Sequence, residues 1–292
     1  MWMNISYWLK DKREDEPGKS PHTPLKLEIY DAQGQLVRTL SSIVKPNRYP
    51  PDDADDPKAP AKPELTPDAG INRVQWDRRY DGARRLPTAK LDSGDPDEGP
   101  AALPGPYTLK LTVDGRSYTT TGTLLPDPRS PVTPGQLQQN VAFTLQARAA
   151  LDRLTADIED VRAIRAQARD LKERTAGNAA AQALQATADA LIKRCDALES
   201  RMHNPEAEVI YDVLAGRQGG AKLYSQIAPL FSDMQSSDYE PSQGQLDQMQ
   251  ENLAELAQIE EQLHNLRTQE LAQLEAQVQA LGLPRVIVPG RN

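Results

Sequence analysis

Pro126-Asp127-Pro128-Arg129-Ser130-Pro131-Val132-Thr133-Pro134 divides this sequence into halves with opposite periodicities. Prolines at 126, 128 and 131 fix φ and carry no amide proton, so the stretch reads as a stiff linker. Thr133 then supplies an N-cap hydroxyl. Pro134 suits the first helical position, where its missing N–H leaves no bond unmade. Upstream of the break near Pro131, apolar residues recur at every second position; downstream they recur at every third or fourth. The expected fold class is therefore multidomain all-β plus all-α: an antiparallel β-sandwich, then an antiparallel helical bundle of three long helices and one or more short ones.

Upstream, Tyr107, Leu109, Leu111 and Val113 alternate after Pro104-Gly105-Pro106, and Asp114-Gly115 closes a tight hairpin into Arg116–Leu125. Ile71, Val74 and Trp76 mark an earlier strand. Leu25, Leu27 and Ile29 share one face, and Asp31-Ala32-Gln33-Gly34 turns the chain into a returning strand over 35–40. At the start, Ile5, Tyr7 and Leu9 alternate with Ser6, Trp8 and Lys10. About six strands are expected, in a segment of sandwich size. Residues 45–70, rich in Pro, Asp, Lys and Ala, read as one long loop, and residues from about 77 to 104 as a second.

Downstream, Val141, Leu145, Leu151, Leu154, Ile158, Val161, Ile164 and Leu171 form an apolar stripe on a segment that runs about 40 residues from Pro134 without a breaker, or roughly 60 Å of helix, and ends at Gly177-Asn178. Leu184, Ala188, Leu191, Cys195, Leu198 and Met202 repeat at spacings of four and three up to His203-Asn204-Pro205. A shorter segment, 222–234, contains Pro229. The last helix starts near Pro241 and carries Leu246, Met249, Leu253, Leu256, Leu263, Leu266, Leu271, Leu274, Val278 and Leu281, with a slip near Ile259, before Gly282 and Pro284 stop it. The expected domains are 1–127 (sandwich), 128–133 (linker), 134–284 (bundle) and 285–292 (tail). An intermolecular coiled coil is the alternative to an antiparallel bundle.

Composition narrows the function classes. Hydrophobic residues make up 38% of the 292 residues and aromatics 5%, with mean hydropathy −0.65. That is lean for one large core and suits a small sandwich with thin helices. A net charge of −8 argues against nucleic acid as a partner. No apolar run approaches the roughly 20 residues of a membrane span. One cysteine, Cys195, excludes an intrachain disulfide. The N-terminal residues lack the basic and apolar regions of a signal peptide and read as a strand already under way.

Candidate sites are few, and each has a structural reading beside it. Trp76 and Tyr107 are either a sugar-stacking platform or core aromatics, and the core is favoured. Asp77 and Asp81 are either catalytic carboxylates or turn residues, and the turn is favoured. Asp52-Asp53-Ala54-Asp55-Asp56 lacks the spaced ligands and glycine of a calcium loop and reads as solvated. His22, His203 and His264 have no metal-ligand spacing. Glu255, Glu260 and Glu261 read as a solvated helix face, since no E-x-x-H pair accompanies them. Cys195 reads as a buried seam residue rather than a reactive thiol. No catalytic, cofactor-binding or metal-binding residue is assigned, no cofactor is expected, and the chain is not expected to be an enzyme.

Several of these segments together resemble a known arrangement. They are Tyr7-Trp8-Leu9-Lys10, residues 27–38, Gly70-Ile71-Asn72-Arg73 with Trp76-Asp77, Pro104-Gly105-Pro106-Tyr107-Thr108 and Asp114-Gly115. This is similar to the C-terminal region of bacterial sortilin-like, BNR-repeat β-propeller proteins, often labelled glycosyl hydrolases. The segment after the propeller in that family resembles the Ig-like domain of flagellar hook-capping proteins, and a helical tail follows. The resemblance implies an Ig-like sandwich, a location in the periplasm or outside the cell, and a propeller of the same or a companion chain as partner. Any glycosidase activity would belong to that propeller, so no residue here inherits it.

Three functional expectations follow. The first is a non-catalytic region that packs on or presents the propeller, marked by an exposed apolar patch. The second is a carbohydrate-binding or glycoside-hydrolase accessory module, marked by exposed aromatics beside paired carboxylates and ended by burial of all three tryptophans. The third is a stand-alone scaffold that forms a homo-oligomer through its helices.

Overall fold

A computed structural model describes residues 2–13, 24–43, 64–86, 89–91 and 93–283. The acidic stretch Asp52–Asp56, His22 and the expected tail lie outside the described residues. Strands come first and long helices follow. The strands are β1 (Met3–Leu9), β2 (Lys26–Tyr30), β3 (Leu36–Ser41), β4 (Gly70–Trp76), β5 (Arg79–Asp81), β6 (Glu98–Ala101), β7 (Gly105–Val113) and β8 (Arg116–Leu124). The helices are α1 (Pro134–Arg174), α2 (Gln182–Met202), α3 (Ile210–Leu214), α4 (Leu223–Asp233), α5 (Gln243–Asn265) and α6 (Ala272–Ala280).

The chain divides into two compact units that interleave in sequence. The first comprises Met1–Ala83, Asp97–Leu145 and Gln235–Glu240; the second comprises Arg84–Pro96, Gln146–Met234 and Pro241–Asn292.

In the first unit, β3-β2-β7-β8 form a four-stranded antiparallel sheet, β1-β4 a two-stranded ribbon, and β5-β6 a second short ribbon. Alternation explains the faces. Ile5, Tyr7 and Leu9 of β1 are buried while Asn4, Ser6 and Trp8 face out, because successive strand residues point to opposite sides. Asp31 sets the β2–β3 turn: its Oδ1 accepts the amides of Gln33 at 3.0 Å and Gln35 at 2.8 Å, and Gly34 takes a φ of +77°. The β7–β8 hairpin turns at Asp114 (φ 49°) and Gly115 (φ 74°), both left-handed as a primed two-residue turn requires. The core gathers Leu25, Ile29, Val37, Leu65, Trp76 and Tyr107. Trp76 meets Tyr107 edge-on, with centroids 5.3 Å apart at 65°.

The structure has eight strands among the described residues, where the sequence pattern gives about six. The additional ribbon, β5-β6, lies inside the segment expected to be loop. Its turn-in is local: Arg78 is left-handed at φ 61°, and Asp77 Oδ1 accepts the Arg79 amide at 3.0 Å. The two strands close tightly at Gly99, where a Cβ would stand 1.9 Å from the Tyr80 carbonyl oxygen.

In the second unit, helix direction is read from ion pairs. Arg162 with Glu199, Arg165 with Asp196 and Lys172 with Asp189 make α1 and α2 antiparallel. Arg201 with Glu255 and Arg194 with Glu270 oppose α2 to the α5–α6 segment in the same way. Arg153 with Glu260 and Asp160 with Arg267 set α1 parallel to α5–α6. These pairs report geometry more than energy, since exposed pairs contribute about 0–1 kcal/mol each. The apolar seam supplies the cohesion: Leu184, Ala188, Leu191, Cys195, Leu198 and Met202 are all buried on α2. In the last helix the seam runs through Ile259, which is fully buried, so the slip does not fall there. It falls between Leu266 and Leu271, where a π-helical turn absorbs a five-residue step.

The segment 84–96 is strapped onto this helical unit. The Arg84 amide donates to Asp152 Oδ1 at 2.6 Å, and Thr155 Oγ1 donates to the Arg84 carbonyl at 2.9 Å. The Leu86 amide donates to Tyr224 Oη at 3.0 Å, and the Asp95 amide to Ser232 Oγ at 2.8 Å. Gly94 (φ 91°) allows the approach: a Cβ there would stand 2.7 Å from the Ala228 carbonyl oxygen.

Candidate functional site

The residues singled out for chemistry are taken up by structure. Trp76 and Tyr107 are buried, with Trp76 Nε1 donating to the Arg79 carbonyl at 2.9 Å and Tyr107 Oη to the Leu103 carbonyl at 2.6 Å. Burial raises the Tyr107 phenol above its ordinary range. Asp77 caps the β4–β5 turn; Asp81 pairs with Arg38 at 3.5 Å and accepts the Thr39 amide at 3.3 Å. The two carboxylates therefore serve separate backbone and ion-pair roles. Cys195 is fully buried and its thiol is pushed up to about 12 by burial, with Arg165 opposing only part of that shift. Among the described residues, no group of three or more His, Cys, Asp or Glu is placed to hold a metal, and no helix is long and apolar enough to cross a membrane.

Trp2, just before β1, and Trp8, near its far end, are both exposed and about 20 Å apart at the strand rise. They do not form one platform; Trp2 shares a shallow pocket with Glu64 and Asp77, but Glu64 accepts the Ser41 amide and lies 3.6 Å from Arg38, and Asp77 accepts the Arg79 amide. Exposure of both leaves the burial of all three tryptophans unmet as well.

The helical unit buries a charge cluster around Glu199. Glu199 on α2 is 2% exposed; its Oε1 accepts from Arg162 Nε at 2.7 Å, and its Oε2 lies 2.5 Å from Arg165 Nη1. His203, one turn later and equally buried, places Nε2 2.8 Å from Glu199 Oε1 and 2.9 Å from Arg162 Nη2. Burial alone would raise the Glu199 carboxyl. The His203 hydrogen bond and the two guanidinium groups more than offset it and hold it down at about 2. Cys195, one turn before Glu199 on α2, is buried with its thiol pushed up, and the geometry of the cluster is that of a helix–helix clamp.

The surface that structure leaves unexplained lies on the β unit. On the outer face of the β1–β4 ribbon, Trp8 stands directly opposite Ile71, and they are 64% and 83% exposed. Directly opposed strand residues have Cβ atoms about 5 Å apart, so the two side chains form one apolar patch. Trp8 also rims a cleft of about 520 Å³ whose floor is Leu27, Leu109, Leu111 and Val113 and whose far rim is Tyr118. Tyr118 is 60% exposed. A separate cavity of about 360 Å³, near Tyr107 and Pro134, holds Asp31 and Asp127, but Asp31 is committed to its turn and Asp127 to Arg129. The helical unit has its own exposed apolar stretch, Val209, Ile210, Tyr211 and Leu214 around α3, with the Arg217 guanidinium 5.3 Å from the Tyr211 ring centroid.

The outward parity of Trp8 was readable from the β1 alternation; its pairing with Ile71 needs the β1–β4 register. Nothing in the sequence singled out Tyr118, which follows the Asp114-Gly115 turn in a threonine-rich strand. No protein-family model, curated protein or solved structure matches this chain.

Proposed function

We propose that the chain is a non-catalytic interaction region, an Ig-like sandwich with an antiparallel helical bundle. It packs on or presents the β-propeller of a sortilin-like protein, in the same or a companion chain. The observation that carries this reading is the Trp8–Ile71 patch beside the cleft. A tryptophan and an isoleucine left largely in water next to an apolar groove mark a contact surface, because contiguous exposed apolar area is disfavoured without a partner. The committed roles of Asp77, Asp81 and Glu199 support the non-catalytic part. The β-strand motifs quoted above support the choice of partner, and the antiparallel ion-pair ladders support the bundle.

A second reading is favoured by a specific observation. The exposed stretch Val209–Leu214 suits a stand-alone scaffold that assembles through its helical unit.

The size of the native product in its source cells separates the two. An immunoblot against this chain is expected to show a band several-fold larger than 32.2 kDa, or a 32.2 kDa band that migrates with a larger propeller-bearing partner on a native gel. A 32.2 kDa product that migrates alone or as its own oligomer would contradict the propeller and favour the scaffold.

A further inference from the structure

The cleft on the β unit has a shape and an edge that specify its occupant. Two strands, β1 and β4, face a sheet of four, so part of that sheet's inner face is left uncovered. At one end β1 closes onto β8: a Cβ on Gly122 would meet Met3 Cε at 2.3 Å. Toward Trp8, Leu111 and Val113 are only half-buried and Tyr118 is exposed, and Arg13, which lines the same cleft, pairs with Asp114 of the β7–β8 turn. The result is a wedge with an apolar floor.

One wall of this wedge is a strand edge. Among the described residues, β1 pairs only with β4. In an antiparallel ladder alternate residues aim their N–H and C=O groups away from the partner, so β1 carries a row of backbone donors and acceptors on its other side. Edge strands are ordinarily protected by charges, prolines or bulges. Met3-Asn4-Ile5-Ser6-Tyr7-Trp8-Leu9 has no charge and no proline, and its register with β4 runs unbroken from Met3 to Leu9. A small apolar ligand would cover the floor and leave this edge unpaired. An extended peptide satisfies both: its backbone continues the ladder, and every second side chain drops onto the floor.

We propose that the cleft is a strand-addition site, in which an extended partner segment with alternating apolar residues pairs with the edge of β1 that no other described strand occupies. Its apolar side chains cover Leu27, Leu109, Leu111 and Val113, between Trp8 and Tyr118. This rests on the reading of the chain as an interaction region but not on the propeller as its partner.

The test is selection of displayed random peptides of about ten residues on the full chain, followed by amide exchange and affinity measurements on the winners. Enriched peptides are expected to alternate apolar and polar residues and to slow exchange of amides within Met3–Leu9. N-methylation of alternate peptide amides is expected to weaken binding about tenfold or more, since it removes ladder donors and keeps the side chains. Tyr118→Lys, an exposed rim substitution, is expected to weaken binding without altering the fold. Failure to enrich any peptide, unchanged exchange in β1, or equal binding of the N-methylated peptides would overturn the proposal; the last outcome would mark an apolar pocket instead. The propeller reading fails or survives separately, on the native product size: an independent 32.2 kDa protein that still binds such peptides keeps the strand site and loses the propeller.

Discussion

Trp76→Ala is expected to destabilise the β unit by about 4 kcal/mol, the scale of an aromatic truncation in a close-packed core. Trp76 is fully buried, and its loss removes the edge-on contact with Tyr107. Such aromatic pairs are worth about 1 kcal/mol beyond their buried area. It also leaves the Arg79 carbonyl without the indole donor at 2.9 Å, next to the turn that starts β5. Urea unfolding of the variant should therefore show the transition of the β unit moved to lower denaturant. Trp8→Ala, on the outer face, is the control and should move that transition little, since surface substitutions usually stay within about 0.5 kcal/mol. Equal costs for the two variants would show that Trp76 is not the centre of this core.

The second large effect belongs to Glu199. Removing one partner of a buried ion pair leaves the other uncompensated, at about 3–5 kcal/mol when both are enclosed. Arg162 and Arg165 are partly exposed, so Glu199→Gln is expected to cost about 3 kcal/mol at neutral pH, at the lower end of that range. The cost also has a pH signature. The folded carboxyl sits at about 2, below its ordinary 4.5, so the folded state favours the charged form. Its contribution is fully present above the unfolded value and is lost as pH falls from about 4.5 toward about 2. Acid titration of stability should thus be steeper over that interval in the wild type than in Glu199→Gln. Parallel curves through the window would mean that the clamp is not formed in solution.

How much of this was legible varies with the length of the pattern. Seven residues of alternation in β1 and nine in β7 repeat often enough to reveal their buried faces, as do the three-and-four spacings of α2. The β5–β6 ribbon has only Arg79–Asp81 and Glu98–Ala101, with glycine and proline inside, so no period can build up. Segment 84–96 reads as a free loop because its partners, Asp152, Thr155, Tyr224 and Ser232, lie far along the chain. The seam slip in the last helix was misplaced because Ile259 falls in register and the π turn at Leu266–Leu271 has no residue signature of its own. Glu199 carries no mark in the sequence that separates it from any other polar residue beside the α2 seam. The available signal was Arg162 and Arg165 one turn apart on α1, with Glu199 and His203 one turn apart on α2. Recognising it requires knowing that those two faces meet.

The reading of the chain as an interaction region depends on one claim: the Trp8–Ile71 face is covered in the working protein. Hydroxyl-radical footprinting measures that claim directly, with the purified chain and the native protein in source-cell extract oxidised side by side. In the purified chain Trp2 and Trp8 should oxidise readily and Trp76 should not, as their exposures dictate. In the native protein the account predicts that Trp8 becomes protected while Trp76 is unchanged. Oxidation of Trp8 at the same rate in both samples would contradict it, because the face would then be open to water where the protein works.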